Sequence, residues 1–294
     1  MAKTTSAKTA LAKKLGISRS TLYYKPKRPA SDEEKKKQIM AVMSDHKAYG
    51  SRRVAWYLNK NRKGISRIMQ KFKLKPLIRR GAKPAKPDDL NRPESHITNI
   101  LKVLCPIQPN IVWAGDFTYL WFKDRFWYLA TVIDIFTREI LGWHLARHHT
   151  TNLIIEAFKD AARRQKTSSQ YFHSDQGSEY VAGAYESLLE AHGTTASHSR
   201  KASPWQNGYQ ESFYSQFKLE LGTIAHLEHV GQLIELVAQQ LHYYNHERIH
   251  SAHKMAPAVF RQRHDVKTKT TAFTAELSSF NLNPLPHANS RNSV

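Results

Sequence analysis

The sequence predicts an α/β protein: a mixed five-stranded sheet with flanking helices, preceded by a small, strongly basic all-α module. Three observations lead there. Lys and Arg crowd the amino end, where residues 1–80 hold 23 of them against 4 Asp and Glu; that is a net +19, and residues 81–294 add only +2 to reach the total of +21. Helical spacing of apolar residues dominates before residue 80, whereas runs of β-branched and aromatic residues separated by tight turns take over from Asn110. Three acids, Asp116, Asp175 and Glu211, stand in or beside the elements so predicted.

A chain of 294 residues with 40% apolar content is long enough for one large core and one or two small modules. A pI near 10 points to a polyanionic partner, because a field of that sign concentrates nucleic acid or anionic membrane at the surface. The single cysteine, Cys105, rules out an internal disulfide and favours a reducing compartment. No apolar run of about 18 residues is present and no signal-peptide core follows Met1, so the expected location is the cytoplasm, beside the nucleoid if the source is bacterial, with no membrane partner.

Residues 1–30 form a basic arm. Thr9 to Tyr24 shows an apolar helical pattern, a break at Gly16 and Ser18 placed to cap a second helix, which is the shape of a helix-turn-helix with Arg19 at the start of its recognition helix. A poorly ordered arm is the competing reading. Residues 31–80 read as a helical DNA-binding domain. Ser31-Asp32-Glu33-Glu34 is a capping-box signature opening a helix with Ile39, Met40 and Met43 on one face. A second helix starts around Ser51 with Arg52 and Arg53, and a third from Gly64 has Arg62, Lys63 and Arg67 among its apolar positions. Clustered charge favours groove contact over a merely solvated basic surface. Residues 81–108 carry prolines without periodicity and read as a linker.

The main domain spans 109–262. Ile111 to Leu120, Phe126 to Asp134 and Arg138 to His144 are three successive strands turning at Lys123-Asp124 and Phe136-Thr137. A helix from Thr151 to Arg164, a strand Tyr171 to Ser174, a helix from Tyr180 to Ala191 and a weak strand Thr194 to Ser197 follow. After an irregular stretch around Pro204, Glu211 falls in the first turns of a helix, and Val230 to Tyr244 is amphipathic. Residues 263–294 fade into Lys, Thr, Ser and Asn and read as a flexible tail.

Acids in this pattern imply metal chemistry. Mg²⁺ takes oxygen ligands and usually only a few carboxylates per ion, so three converging acids can hold two ions that share one of them. Two such metals about 4 Å apart serve in-line phosphoryl transfer. Taken singly, Asp175 is an ordinary turn residue and Glu211 an ordinary solvated one. Asp116 is harder to dismiss, since an acid flanked by Trp113, Phe117 and Tyr119 costs several kcal/mol to bury without a partner. His144, His148 and His149, and His242, His246 and His250, invite a zinc reading, which one cysteine disfavours.

Asp116 in Trp-Ala-Gly-Asp-Phe-Thr-Tyr, Asp175 in His-Ser-Asp-Gln-Gly-Ser-Glu-Tyr and Glu211 in Ser-Pro-Trp-Gln-Asn-Gly-Tyr-Gln-Glu-Ser-Phe resemble the three blocks of the DDE transposase and retroviral-integrase catalytic core. The 35 residues between Asp175 and Glu211 match that family's spacing, and Lys218 matches its basic residue seven positions on. Tyr244-Asn245-His246-Glu247-Arg248-Ile249-His250 with Pro257 resembles the closing block of bacterial insertion-sequence transposases of the IS-three type, the product of their second reading frame. The resemblance runs from about Tyr49 to Phe260.

It implies a ribonuclease H-like fold, two Mg²⁺ or Mn²⁺ ions on Asp116, Asp175 and Glu211, and DNA cleavage followed by strand transfer from a 3′-hydroxyl. It further implies DNA contacts from Lys218, from a loop holding Trp205, Gln206, Asn207 and Tyr209, and from Arg248. The partners it implies are double-stranded DNA at transposon ends and target, further copies of the chain on that DNA, and a separate first-frame protein. A nuclease that never joins and a transposase-derived DNA-binding regulator are the competing functions.

Overall fold

The computed structural model describes residues 9–18, 20–21, 28–78, 97, 99–199 and 208–280, which fall in two compact units, Met1–Leu77 and Ile78–Val294. Of the expected sites, Arg19, Trp205, Gln206 and Asn207 lie outside the described residues, as does most of the expected linker.

The first unit is helical. A short helix, α1, spans residues 9–14, and Ser18 Oγ accepts the Thr21 N–H at 3.3 Å, the local cap expected of it. Helix α2 (Arg28–Asp45) starts ahead of the predicted capping box, so Ser31 sits inside the helix and not at its cap. Its buried face is Asp32, Ile39, Val42 and the neighbouring His46, with Met40 turned to solvent. Asp32 is instead the acceptor for a later helix: Arg67 donates at 3.0 and 2.5 Å and Lys71 at 2.8 Å. Both donors lie on α4 (Arg62–Lys71), which Asn61 caps by accepting the Lys63 N–H at 2.8 Å and which buries Ile65, Ile68 and Met69. Between them α3 (Ser51–Tyr57) buries Val54 and Ala55. The short α3–α4 link works because Asn59 takes a left-handed φ of 49°, letting the Lys60 N–H reach the Ala55 carbonyl at 2.9 Å.

In the second unit a five-stranded sheet has the order β3-β2-β1-β4-β5. Strands β1 (Val112–Phe122), β2 (Arg125–Asp134) and β3 (Ile140–Ala146) form the expected antiparallel meander, and β4 (Tyr171–Ser174) and β5 (Thr195–His198) add in parallel. The β1–β2 turn is the two residues Lys123 and Asp124, with φ of 49° and 58°, the left-handed pair that matches strand twist in a tight hairpin. The β2–β3 turn is organised by buried Asp134, which accepts N–H groups of Phe136 at 2.9 Å, Thr137 at 2.7 Å and Asn110 at 2.7 Å.

Helices cover both faces. On one, α5 (Thr151–Gln165) and α6 (Gly183–Ala191) bury Trp113, Val132, Phe158, Phe172 and Tyr185. Gly142 lets β3 lie against α5: a Cβ there would sit 2.3 Å from the Ala161 nitrogen. On the other face, α7 (Gly208–Leu221) and α8 (Val230–His246) bury Leu120, Leu129, Phe213, Phe217, Leu233 and Val237.

Two boundaries differ from expectation. The core takes in residues from Asn99, because a 3₁₀ turn (Ile100–Lys102) donates the Ile100 N–H to Ser197 Oγ at 2.9 Å and sets Leu101 and Leu104 against the apolar cluster. At the other end α9 (Pro257–Phe280) continues as helix through residues expected to be a flexible tail. Its composition offers little apolar periodicity, and that pattern is what the expectation relied on.

Candidate active site

The sheet brings the first two acids to one level. Ala114 of β1 pairs with His173 of β4, and two residues further along each chain come Asp116 and Asp175. Gly115 permits the fit: a Cβ there would meet Phe172 Cζ at 2.4 Å and the Tyr180 hydroxyl at 3.3 Å. Asp175 begins the turn after β4, and its Oδ1 accepts the Gly177 N–H at 3.0 Å.

Helix α7 is then pinned across β1. Gln210, fully buried, donates from Nε2 to the carbonyls of Ala114 at 2.7 Å and Thr131 at 3.0 Å. The Tyr214 hydroxyl donates to the Asp116 carbonyl at 2.6 Å. Glu211 follows Gln210 in the first turn of α7 and is thereby held over the same end of the sheet. Neither Gln210 nor Tyr214 was among the residues expected to matter. The available signal was an amide and a phenol at i, i+4 in a helix that buries Phe213 and Phe217, where unsatisfied polar groups are costly.

Burial pushes the Asp116 carboxyl up to about 7; the Asp175 charge adds to the shift, the Phe117 N–H bonded at 2.8 Å opposes it, and Glu211 adds to it again. Asp116 is thus within electrostatic reach of both other acids. Among the described residues, however, no three or more His, Cys, Asp or Glu side chains stand close enough to hold one ion, and this includes the histidines considered for zinc. The donor set is nevertheless all carboxylate, and a buried acid raised by two others is an arrangement that a hard divalent cation relieves.

The loop after Asp175 is tied back to β1 by residues that were not anticipated in this role. Glu179 pairs with His149 Nδ1 at 2.7 Å, and the His149 ring stacks on Phe117, beside Asp116, with centroids 5.9 Å apart. Burial alone would raise the Glu179 carboxyl, but the His149 hydrogen bond and those from its own backbone and Ser178 outweigh it and hold it below its ordinary value.

The expected DNA-contacting residues divide. Lys218 sits two helical turns beyond Glu211 with Nζ 4.4 Å from the Tyr119 ring centroid. Tyr209 is partly exposed and carries the Arg138 guanidinium 3.8 Å from its ring. Arg52, Arg62 and Lys63 are exposed on the first unit, and Arg53 lies 5.8 Å from the Tyr49 ring. One expectation is corrected. Arg248 is 2% exposed and gives its Nε to both Glu220 oxygens at 2.7 and 2.8 Å, so it braces α7 inside the core and does not face DNA. Arg67 bonds Asp32 while its side chain stays 52% exposed, which is compatible with its expected place on the DNA-facing surface.

Residues 106–204 and 192–257 each match the Integrase core domain family. The transposase for insertion sequence element IS904 of Lactococcus lactis subsp. lactis is 32% identical over 231 residues, covering 73% of this chain and 87% of that protein. The insertion element IS600 uncharacterized 31 kDa protein of Shigella sonnei is 30% identical over 264 residues, 85% of this chain and 96% of that one. Among solved structures, the trimeric form of the HTLV-2 integrase catalytic core domain superposes with a TM-score of 0.45 at 16% identity, over 53% of this chain and 98% of that one. No described helix is long and apolar enough to cross a membrane. With residues 106–204 and 192–257 matching the integrase core family and a relative of 32% identity matched over 87% of its length, the chain belongs to the insertion-sequence transposases of the DDE transposase and integrase superfamily: it is a DNA transposase, a polynucleotidyl transferase built on a mixed five-stranded sheet.

Proposed function

We propose that Asp116, Asp175 and Glu211 are the catalytic carboxylates of this transposase, that they hold two Mg²⁺ or Mn²⁺ ions, and that the site cuts transposon-end DNA and joins the freed end to another strand. The observation that carries this reading is the pinning of α7 on β1 through Gln210 and Tyr214, which holds Glu211 over the strand end where Asp116 and Asp175 share a level. Bound ions would supply Lewis-acid activation of the attacking oxygen and stabilisation of the leaving one.

The protein's own part is placement. Phe117 and Gly177 N–H groups orient Asp116 and Asp175. Lys218, on the same face of α7 as Glu211, offers a cation to the strand's phosphates. In the first reaction water attacks a phosphodiester, one P–O bond forms, and the bond to the departing 3′-oxygen breaks. In the second that 3′-hydroxyl attacks another phosphodiester and displaces a second 3′-oxygen, so bonds made equal bonds broken and no covalent protein intermediate is needed. Arg52, Arg53, Arg62 and Lys63 of the basic unit serve end binding, on double-stranded DNA that several copies of the chain share, with a first-frame protein as an additional partner.

The test is a labelled end duplex with Mg²⁺ or Mn²⁺. Wild-type protein should yield both nicked and joined products, and Asp175→Asn should lower both by about 10³-fold, the scale of several kcal/mol of transition-state stabilisation. Nicking without joining would instead establish a nuclease. Equal, background-level products from both proteins would establish a DNA-binding regulator.

A further inference from the structure

The pairing of β1 with β4 ends at Ala114, so among the described residues only β2 flanks β1 from Gly115 to Phe122, and the β1–β2 hairpin extends past β4. Residues paired directly across an antiparallel ladder point to the same side. Tyr119 faces Tyr128 and Trp121 faces Phe126, which puts these four rings on one side of the hairpin. Three of them are open to solvent: Tyr119 is 58% exposed, Trp121 57% and Phe126 44%. They form a connected group, with Phe126 edge-on to Tyr119 at 5.2 Å and to Trp121 at 4.7 Å between centroids.

Exposed aromatic clusters of this kind mark an interaction surface. Its rim indicates the occupant. Lys218 Nζ lies over the Tyr119 ring, and exposed Lys123 and Arg125 bracket the hairpin tip, where Asp124 is the acid. A polyanion with flat apolar faces fits such a rim, whereas the catalytic unit of a second copy, only +2 over residues 81–294, brings no excess of negative charge to it. Continuity with the carboxylates runs through Lys218, which shares a face of α7 with Glu211 and reaches the Tyr119 ring; along β1, Tyr119 lies about 10 Å from Asp116 and, at an odd separation, on the other side of the strand.

We infer that the Tyr119–Trp121–Phe126 face of the hairpin is a stacking platform for unpaired nucleotides of the DNA strand handled at the neighbouring carboxylates. Every base has a face to stack, so the platform tolerates any sequence, while the surrounding cations hold the phosphates. The inference rests on the proposed catalytic reading only for which DNA strand arrives, and its test needs no cleavage.

Binding is measured with Asp175→Asn protein on a blunt end duplex and on the same duplex with a short unpaired extension. The extension should tighten binding about tenfold, as expected from stacking one or more bases. Adding Trp121→Ala should erase that gain and leave the blunt-duplex affinity in place, whereas Trp121→Phe should keep most of it. Binding the extended duplex should also quench tryptophan emission more in the protein with Trp121 than in Trp121→Phe. The inference is overturned if the extension gives no gain, if Trp121→Ala weakens both duplexes equally, or if Trp121→Ala changes the oligomeric state in sedimentation, which would make the face a contact between copies. Loss of cleavage in the wild-type assay would overturn the catalytic reading and leave this one standing.

Discussion

The basic unit and the catalytic core treat a buried aspartate in opposite ways. In the first unit Asp32, 2% exposed, receives Arg67 and Lys71 from another helix, and their hydrogen bonds hold its carboxyl far below the ordinary range. In the core Asp116 has two acids for charged neighbours and is pushed up to about 7. One aspartate is spent on holding helices together; the other is left at odds with its surroundings. The core does not lack cations for the purpose, since it answers buried Glu220 with Arg248. Among the described residues no cation answers Asp116 in this way, a cost to folding that the proposed metal ion would offset.

The largest effect expected from breaking this contrast is at Glu220. Replacing Arg248 by Met strands a buried carboxylate and should cost about 3–5 kcal/mol in urea unfolding, with end binding altered only in proportion to the folded fraction. Unchanged stability with weakened DNA binding would restore Arg248 to the DNA-facing residues.

The opposite sign is expected at Asp116. Its folded pKa of about 7 lies above the unfolded value near 3.8, so between those values the native state holds the extra proton and stability falls as pH rises. Asp116→Asn should therefore stabilise the metal-free protein at pH 8 by up to about 4 kcal/mol and match wild type near pH 4. Mg²⁺ should raise the melting temperature of wild type more than that of the variant. A variant less stable than wild type at pH 8 would mean that Asp116 is structurally satisfied.

The smallest effect should be at Asp32. Because its carboxyl is depressed, the stabilisation is present above the unfolded pKa and is lost as pH falls through the folded one. Asp32→Asn should thus lower the melting temperature of the helical unit at neutral pH and shrink that unit's acid sensitivity, without changing cleavage of DNA already bound.

Much of this was readable in the chain. The strands, the Lys123-Asp124 turn and the helix after Thr151 follow from alternation, left-handed turn residues and helical spacing, all expressed within a few neighbouring residues. The three acids stood out because an aspartate inside an apolar strand is expensive, and because the blocks around all three are distinctive. What escaped notice depends on partners far away in sequence. Ser31-Asp32-Glu33-Glu34 has the local form of a helix start, yet Asp32 answers to side chains 35 and 39 residues later. Gln210 and Tyr214 read as ordinary helix positions, and their acceptors are carbonyls 79 to 98 residues away.

Local patterning by itself determined which segments are helix or strand, where the positive charge is concentrated, and which acids are candidates for metal chemistry. Only the tertiary structure decided which charges are used up internally, as with Arg248, and how α7 carries Glu211 toward Asp116. The physical reason is that backbone periodicity is a short-range property of the chain, while a buried polar group is satisfied by whatever donor or acceptor the packing delivers to it.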